Sequence, residues 1–189
     1  MPRIPELDLN AMPPEQRAVA DEIINGPHGR IVGPYPAWLQ SPELARRARS
    51  LSEFIRFKSA LPGRLKELAI LIAGRFWDSE FEFFAHSRLA REEGLDDQVI
   101  QALAQKRTPA LASPAEELVY TVCTEMFETH RLSDTTYARA VEELGLAALV
   151  ELIATIGYYG MVSMTLNAFN IGLPEGEPSP FPAGTLPKT

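Results

Sequence analysis

A chain of 189 residues, 46% hydrophobic and 23% charged, has the makeup of one ordinary globular domain, which leaves no place for a disordered or fibrous class. Its 25 acidic residues against 18 basic ones give a net charge of -7 that repels a polyanion, so nucleic acid is not expected as a partner. The single cysteine, Cys123, has no internal disulfide partner, and the start MPRIPELDLN lacks the basic-then-apolar layout of a signal peptide, so a reducing cytoplasm is the expected location.

In chain order, Pro13 to Asn25 reads as a short helix, with Pro-Pro at its start and Gly26 after it. From His28 to Trp38, Gly29, Gly33, Pro34 and Pro36 break both helix and strand patterns, which predicts an ordered loop anchored by Trp38. Ser41-Pro42-Glu43 opens a helix in which Leu44, Ala48, Leu51 and Ile55 recur at helical spacing up to about Ala60. Pro62 opens RLKELAILIAGRF, a mostly buried helix with Leu65, Leu68, Ala69 and Ile72 on its apolar face and Glu67 beside them.

After a break at Arg75 to Asp78, Ser79 and Glu82 stand in the S-x-x-E arrangement of a capping box, and the helix they start closes at Gly94. Asp96 caps a helix running to about Lys106. Ser113-Pro114-Ala115-Glu116 is a second capping box, launching Leu118 to Thr129, and Ser133 caps a helix ending at Gly145. A long helix, Ala147 to Phe169, follows. The stretch Leu152 to Pro174 carries no charge and is long enough to cross a bilayer. Its Gly157, Gly160, Asn167 and Asn170, and the lack of a close basic flank, favour a buried or subunit-interface helix, so no membrane is expected. GLPEGEPSPFPAGTLPKT is too rich in Pro and Gly for regular structure and reads as an extended tail. The expectation is an all-α protein in three parts: an extension over 1–40, a helical domain over 41–172 and a tail over 173–189.

There is no nucleotide-binding glycine fingerprint, Walker motif, Cys-x-x-Cys pair or His-rich cluster, which turns attention to the region from Glu67 to His86. Glu82 and His86 are four residues apart on one helix and within reach of each other. A carboxylate beside an imidazole fixes its tautomer and raises its pKa, as general acid or base work needs. By itself the pair is a weak signal, since Glu82 is already explained as the N3 residue of the capping box. His28 and His130 lie in loop or terminal settings and receive no role.

The stretch from Ser41 to Ala104, above all LPGRLKELAILIAGRFWDSEFEFFAHSRLAREEGLDDQVIQAL, resembles the carboxymuconolactone decarboxylase family within the AhpD-like superfamily. In the superfamily's peroxidase branch the pattern is Glu, eleven residues, Cys, two residues, Cys, three residues, His. The same spacing here reads Glu67, Ser79, Glu82, His86, so the outer positions match and both cysteines are absent. A serine hydroxyl cannot replace a thiolate in disulfide exchange, which argues against thiol peroxidase chemistry. The decarboxylase branch has an acidic residue four before the histidine, as at Glu82, and an aromatic just upstream, as at Trp77.

The resemblance implies an all-α, AhpD-like helical bundle that forms homo-oligomers, trimers or hexamers. It also implies cofactor-free loss of carbon dioxide from a small carboxylated lactone, with the electron pair held as a dienolate in aromatic-compound catabolism. His86 is then the proton donor or the partner of the developing oxyanion, Glu82 orients and charges it, and Glu67 completes the relay. Ser79 adds a hydroxyl donor, Trp77 walls the pocket, and Arg64 and Arg75 are the nearest cations for a second carboxylate. The residues form no repeated Glu-x-x-His pattern and the resemblance implies no metal, so neither metal nor cofactor is expected. Two rivals stand beside this reading: a peroxidase-related protein and a non-enzymatic oligomeric small-molecule-binding protein.

Overall fold

The computed structural model describes residues 2–27 and 29–184; His28, at the head of the expected loop, and residues 185–189 of the expected tail lie outside the described residues. Among the described residues there are helices and no strands: α1 (Pro14–Asn25), α2 (Tyr35–Trp38), α3 (Pro42–Phe57), α4 (Gly63–Phe76), α5 (Glu80–Glu92), α6 (Asp97–Ala104), α7 (Pro114–Thr129), α8 (Asp134–Leu144) and α9 (Leu146–Ala168). Most of the punctuation is local. Pro14, Pro42 and Pro114 each sit in a first turn, where their missing N–H costs nothing. Asp96 Oδ1 accepts from the Gln98 N–H at 2.7 Å, Ser113 Oγ from the Glu116 N–H at 3.3 Å, and Ser133 Oγ from the Thr136 N–H at 3.2 Å. Gly94 takes φ +82° just past α5, and its N–H and that of Leu95 donate to the Arg91 and Ala90 carbonyls, which closes the helix in a Schellman motif.

The expected loop before Trp38 contains a single helical turn, α2, with Pro36 in its first turn; Trp38 is buried, as an anchor should be. α3 stops at Phe57, short of Ala60.

By contact the chain forms two compact units. In the first, residues up to 58 with 165–172, α3 packs against α1 and α2, although the sequence pattern assigns α3 to the main helical domain. Glu22 on α1 pairs with Arg49 on α3 at 3.0 Å, and Trp38 Nε1 donates to Thr165 Oγ1 at 3.1 Å.

The second unit, residues 59–164 and the chain from 173 on, is built around α4. Every residue from Leu65 to Arg75 is buried, so this helix is enclosed on all sides, with α5, α6 and α7 against it. Leu68, Leu71, Phe83, Val99, Leu118, Val122, Leu152 and Ile156 belong to one hydrophobic core. The tail joins it: Phe181 is buried against Phe83 at 5.1 Å and under the Arg75 guanidinium at 4.2 Å. By length and composition α9 is apolar enough to cross a membrane; just over half of its apolar window, 56%, is buried within the structure.

Candidate active site

The site begins with how α4 ends. Asp78 adopts a left-handed backbone, φ +50°, a position where aspartate is tolerated. The Asp78 N–H donates to the Arg75 carbonyl at 3.2 Å and the Ser79 N–H to the Gly74 carbonyl at 2.8 Å, so α4 terminates as α5 begins. Close packing continues above the turn, where Gly74 lies against the Phe83 amide and the Glu82 side chain. That approach brings Glu67 on α4 and His86 on α5 side by side.

His86 lies between two carboxylates. Its Nδ1 is 2.6 Å from Glu67 Oε2 and its Nε2 is 2.9 Å from Glu82 Oε1. All three side chains are buried, with His86 6% exposed and each glutamate 4%. Burial works against a charged imidazole, yet the two carboxylates outweigh it and hold the His86 pKa up at about 9. At neutral pH the ring is therefore an imidazolium donating both N–H groups, a clamped cation between two anions. The edge of the Tyr159 ring on α9 meets the imidazole at 4.9 Å between centroids, which fixes the ring plane further.

The capping box expected at Ser79 is not formed: Ser79 makes no side-chain cap bond. The reciprocal half of the box would need the Ser79 N–H, and that group is already spent on Gly74. Glu82 is left free for His86. Ser79 Oγ is buried without a hydrogen-bond partner. Trp77 is half-buried, and its indole nitrogen lies 3.3 Å from where a Cβ on Gly160 would stand, so a glycine on α9 makes room for it.

The two arginines expected to meet substrate are employed elsewhere. Arg64 Nε is 2.5 Å from Oε1 of the buried Glu116 on α7. Arg75 is buried, donates from Nε to the Ala104 carbonyl at 2.8 Å, and pairs with Asp78. Both therefore tie helices together, and neither is retained as a substrate cation. Among the described residues no group of three His, Cys, Asp or Glu side chains is placed to hold a metal ion. The reason is visible at His86, where the carboxylates sit on opposite ring nitrogens instead of converging on one point.

Tyr159, Gly160 and Ser163 on α9 were not marked by the sequence. They lie in an uncharged run whose period says only that the helix is buried. A cleft of about 830 Å³ opens in the first unit, bounded by Ile4, Leu7, Leu9, Ile24, Arg30 and Ile171 among others; none of the residues around His86 lines it.

Comparison with known proteins agrees with this architecture. The model of the carboxymuconolactone decarboxylase family matches residues 42–125, which hold Glu67, Glu82 and His86. A crystal structure described as an alkylhydroperoxidase AhpD core, an uncharacterized peroxidase-related protein from Ralstonia eutropha JMP134, superposes with a TM-score of 0.73. The match covers 92% of this chain and 93% of that one at 13% identity, a likeness of fold. No curated protein matches the chain.

Proposed function

Because the model of the carboxymuconolactone decarboxylase family matches residues 42–125 and the chain has the AhpD-like helical fold, we propose that it is a cofactor-free carboxy-lyase acting on a small carboxylated lactone or related ring compound. The observation that carries the proposal is the imidazolium of His86 clamped by Glu67 and Glu82 in a buried setting. In the proposed reaction the bond from ring carbon to carboxylate breaks heterolytically and carbon dioxide leaves. The electron pair moves into the ring as a dienolate, and a proton must then reach carbon. An imidazolium with a pKa of about 9 holds that proton at neutral pH. Nε2, the longer of its two contacts, is the nitrogen that releases it, directly or through the Glu82 carboxylate. Glu67, at 2.6 Å, keeps the other N–H and the ring orientation.

With the triad this buried, a substrate reaches it only past a movable wall, and the half-buried Trp77 is suited to be one. The reading includes a cytoplasmic, self-associating protein in aromatic-compound catabolism. Leu146, Val150 and Met164, exposed on α9, support self-association, since water-facing apolar residues on one helix favour a covered surface. Thiol peroxidase chemistry gains no support from Cys123, whose buried thiol is pushed far above the ordinary range and so stays protonated.

The test is carbon dioxide release from 4-carboxymuconolactone by the wild type, by His86→Ala and by the gentler Glu82→Gln, with matched circular dichroism. Turnover that collapses in both folded variants supports the lyase. A wild type that binds such a lactone yet releases nothing points to the small-molecule-binding rival.

A further inference from the structure

On α9, Ile156, Tyr159, Gly160 and Ser163 stand at positions i, i+3, i+4 and i+7 and so share a face of the helix. The first three show what that face meets: Ile156 is in the core of the second unit, Tyr159 touches His86, and Gly160 receives the Trp77 indole. Ser163 lies one turn beyond them. It is wholly buried, and its Oγ has no hydrogen-bond partner. Several helical hydroxyls in this unit satisfy themselves by bonding back one turn. Thr155 on the same helix donates to the Glu151 carbonyl at 2.7 Å, Ser87 to Phe83 at 2.7 Å, and Thr121 to Glu117 at 2.8 Å.

Ser79 is another wholly buried residue whose hydroxyl has no hydrogen-bond partner. It stands at the head of α5, two residues past Trp77, on the stretch that Gly160 of α9 meets. A hydroxyl withdrawn from water and left unpaired is costly, so two of them on elements in contact mark a place built for a polar group from outside the chain. Both are neutral donors. Unlike the carboxylates of Glu67 and Glu82, a neutral O–H can donate to an oxygen that gains negative charge during reaction without repelling it.

We propose that Ser163, with Ser79, forms a two-hydroxyl cradle for the ring carbonyl oxygen of the substrate, which becomes the dienolate oxygen when carbon dioxide leaves. This rests on the lyase reading above and names the group that the site recognises: a neutral lactone carbonyl linked through the ring double bond to the carbon that loses its carboxylate. Each serine donates a hydrogen bond and keeps its proton, and the proton delivered to carbon comes from His86. Ser163 is thus a substrate-binding residue supplied by α9.

The experiment compares wild type with Ser163→Ala and with Ser163→Cys, which keeps the volume but weakens the donor. Each is followed by carbon dioxide release from 4-carboxymuconolactone, by calorimetric binding of the saturated probe 5-oxotetrahydrofuran-2-carboxylic acid, and by melting temperature. The expected result is a kcat lower by about tenfold or more in both variants. KM should change little, and the melting temperature should hold or rise in Ser163→Ala, because an unpaired buried hydroxyl is removed. Wild-type kcat in both variants overturns the cradle while leaving the lyase in place. If the wild type binds the probe but releases no carbon dioxide, the lyase reading fails and probe binding decides: binding weakened in Ser163→Ala sustains the cradle, and equal binding overturns it. A wild type that neither binds nor turns over overturns both.

Discussion

Two glutamates in the second unit occupy the same place in the same local motif and meet different fates. Glu116 follows Ser113 by three residues, and both side chains are used in the cap: Ser113 Oγ accepts the Glu116 N–H, while the Glu116 carboxylate reaches one residue beyond the N-cap to accept the Ala112 N–H at 2.8 Å and holds Arg64. Glu82 follows Ser79 by three residues, and nothing closes, because the donor it would reach back to is already committed to the end of α4. One carboxylate is consumed by structure. The other is released to polarise an imidazole. A local rule broken without a local compensation is a mark of function, and here a tight helix-to-helix turn breaks it.

The largest expected effect separates the two glutamates by activity. Glu82→Gln keeps the shape of the side chain and removes its charge, so turnover should fall by roughly 10²–10⁴-fold in a steady-state assay. Glu116→Gln should leave turnover near wild type. Equal losses in the two would end the distinction. The pH dependence sharpens it. The folded chain holds the His86 proton with a pKa of about 9 against an ordinary 6.5, so this stabilisation is complete below pH 6.5, declines between 6.5 and 9, and is gone above. The gap in melting temperature between wild type and His86→Gln should therefore shrink as pH rises from 6 to 9.5, and turnover should fall through pH 9. A gap that widens over that range would contradict a clamped imidazolium.

Stability separates the pair in the opposite sense. Glu116→Ala leaves the Ala112 N–H and Arg64 without their partner and should cost about 2 kcal/mol in denaturant unfolding. The smallest effect is the most pointed. Ser113→Ala should cost about 1 kcal/mol as a lost cap, whereas Ser79→Ala, identical by sequence rule, should lie within about 0.5 kcal/mol of zero. A full capping penalty at Ser79 would mean the box forms after all.

How much of this could be read from the sequence follows the same line. Helix starts at Pro14, Pro42, Asp96, Ser113 and Ser133 were legible because proline geometry and side-chain caps act within one turn. The Glu82 and His86 pair was legible as an i, i+4 spacing, and Glu67 came with the resemblance to the family pattern. What could not be read was competition between elements. Whether the Ser79 N–H belongs to α5 or to the end of α4 depends on the turn at Asp78, and an aspartate in a left-handed conformation carries no sequence flag as clear as glycine. Arg64 and Arg75 looked free because their partners, Glu116 and the Ala104 carbonyl, lie far along the chain. Tyr159 and Ser163 were hidden for a related reason, since a helix apolar on every side gives no period to say which face meets the site. Phe181 sits in a Pro-rich stretch that local propensity assigns to an extended tail, and only burial against Phe83 shows it to be core.

That last contact has a kinetic consequence. Phe83 and Phe181 are separated by most of the second unit's length, so their meeting closes a very long loop and belongs late in any order of events. On a chain emerging from its N-terminal end, α4 and α5 exist well before the residue that covers Phe83 and the Arg75 guanidinium. Until it arrives, the helices that carry Glu67, Glu82 and His86 have an apolar side open to water. The form that lacks this last contact is therefore the one most exposed to aggregation.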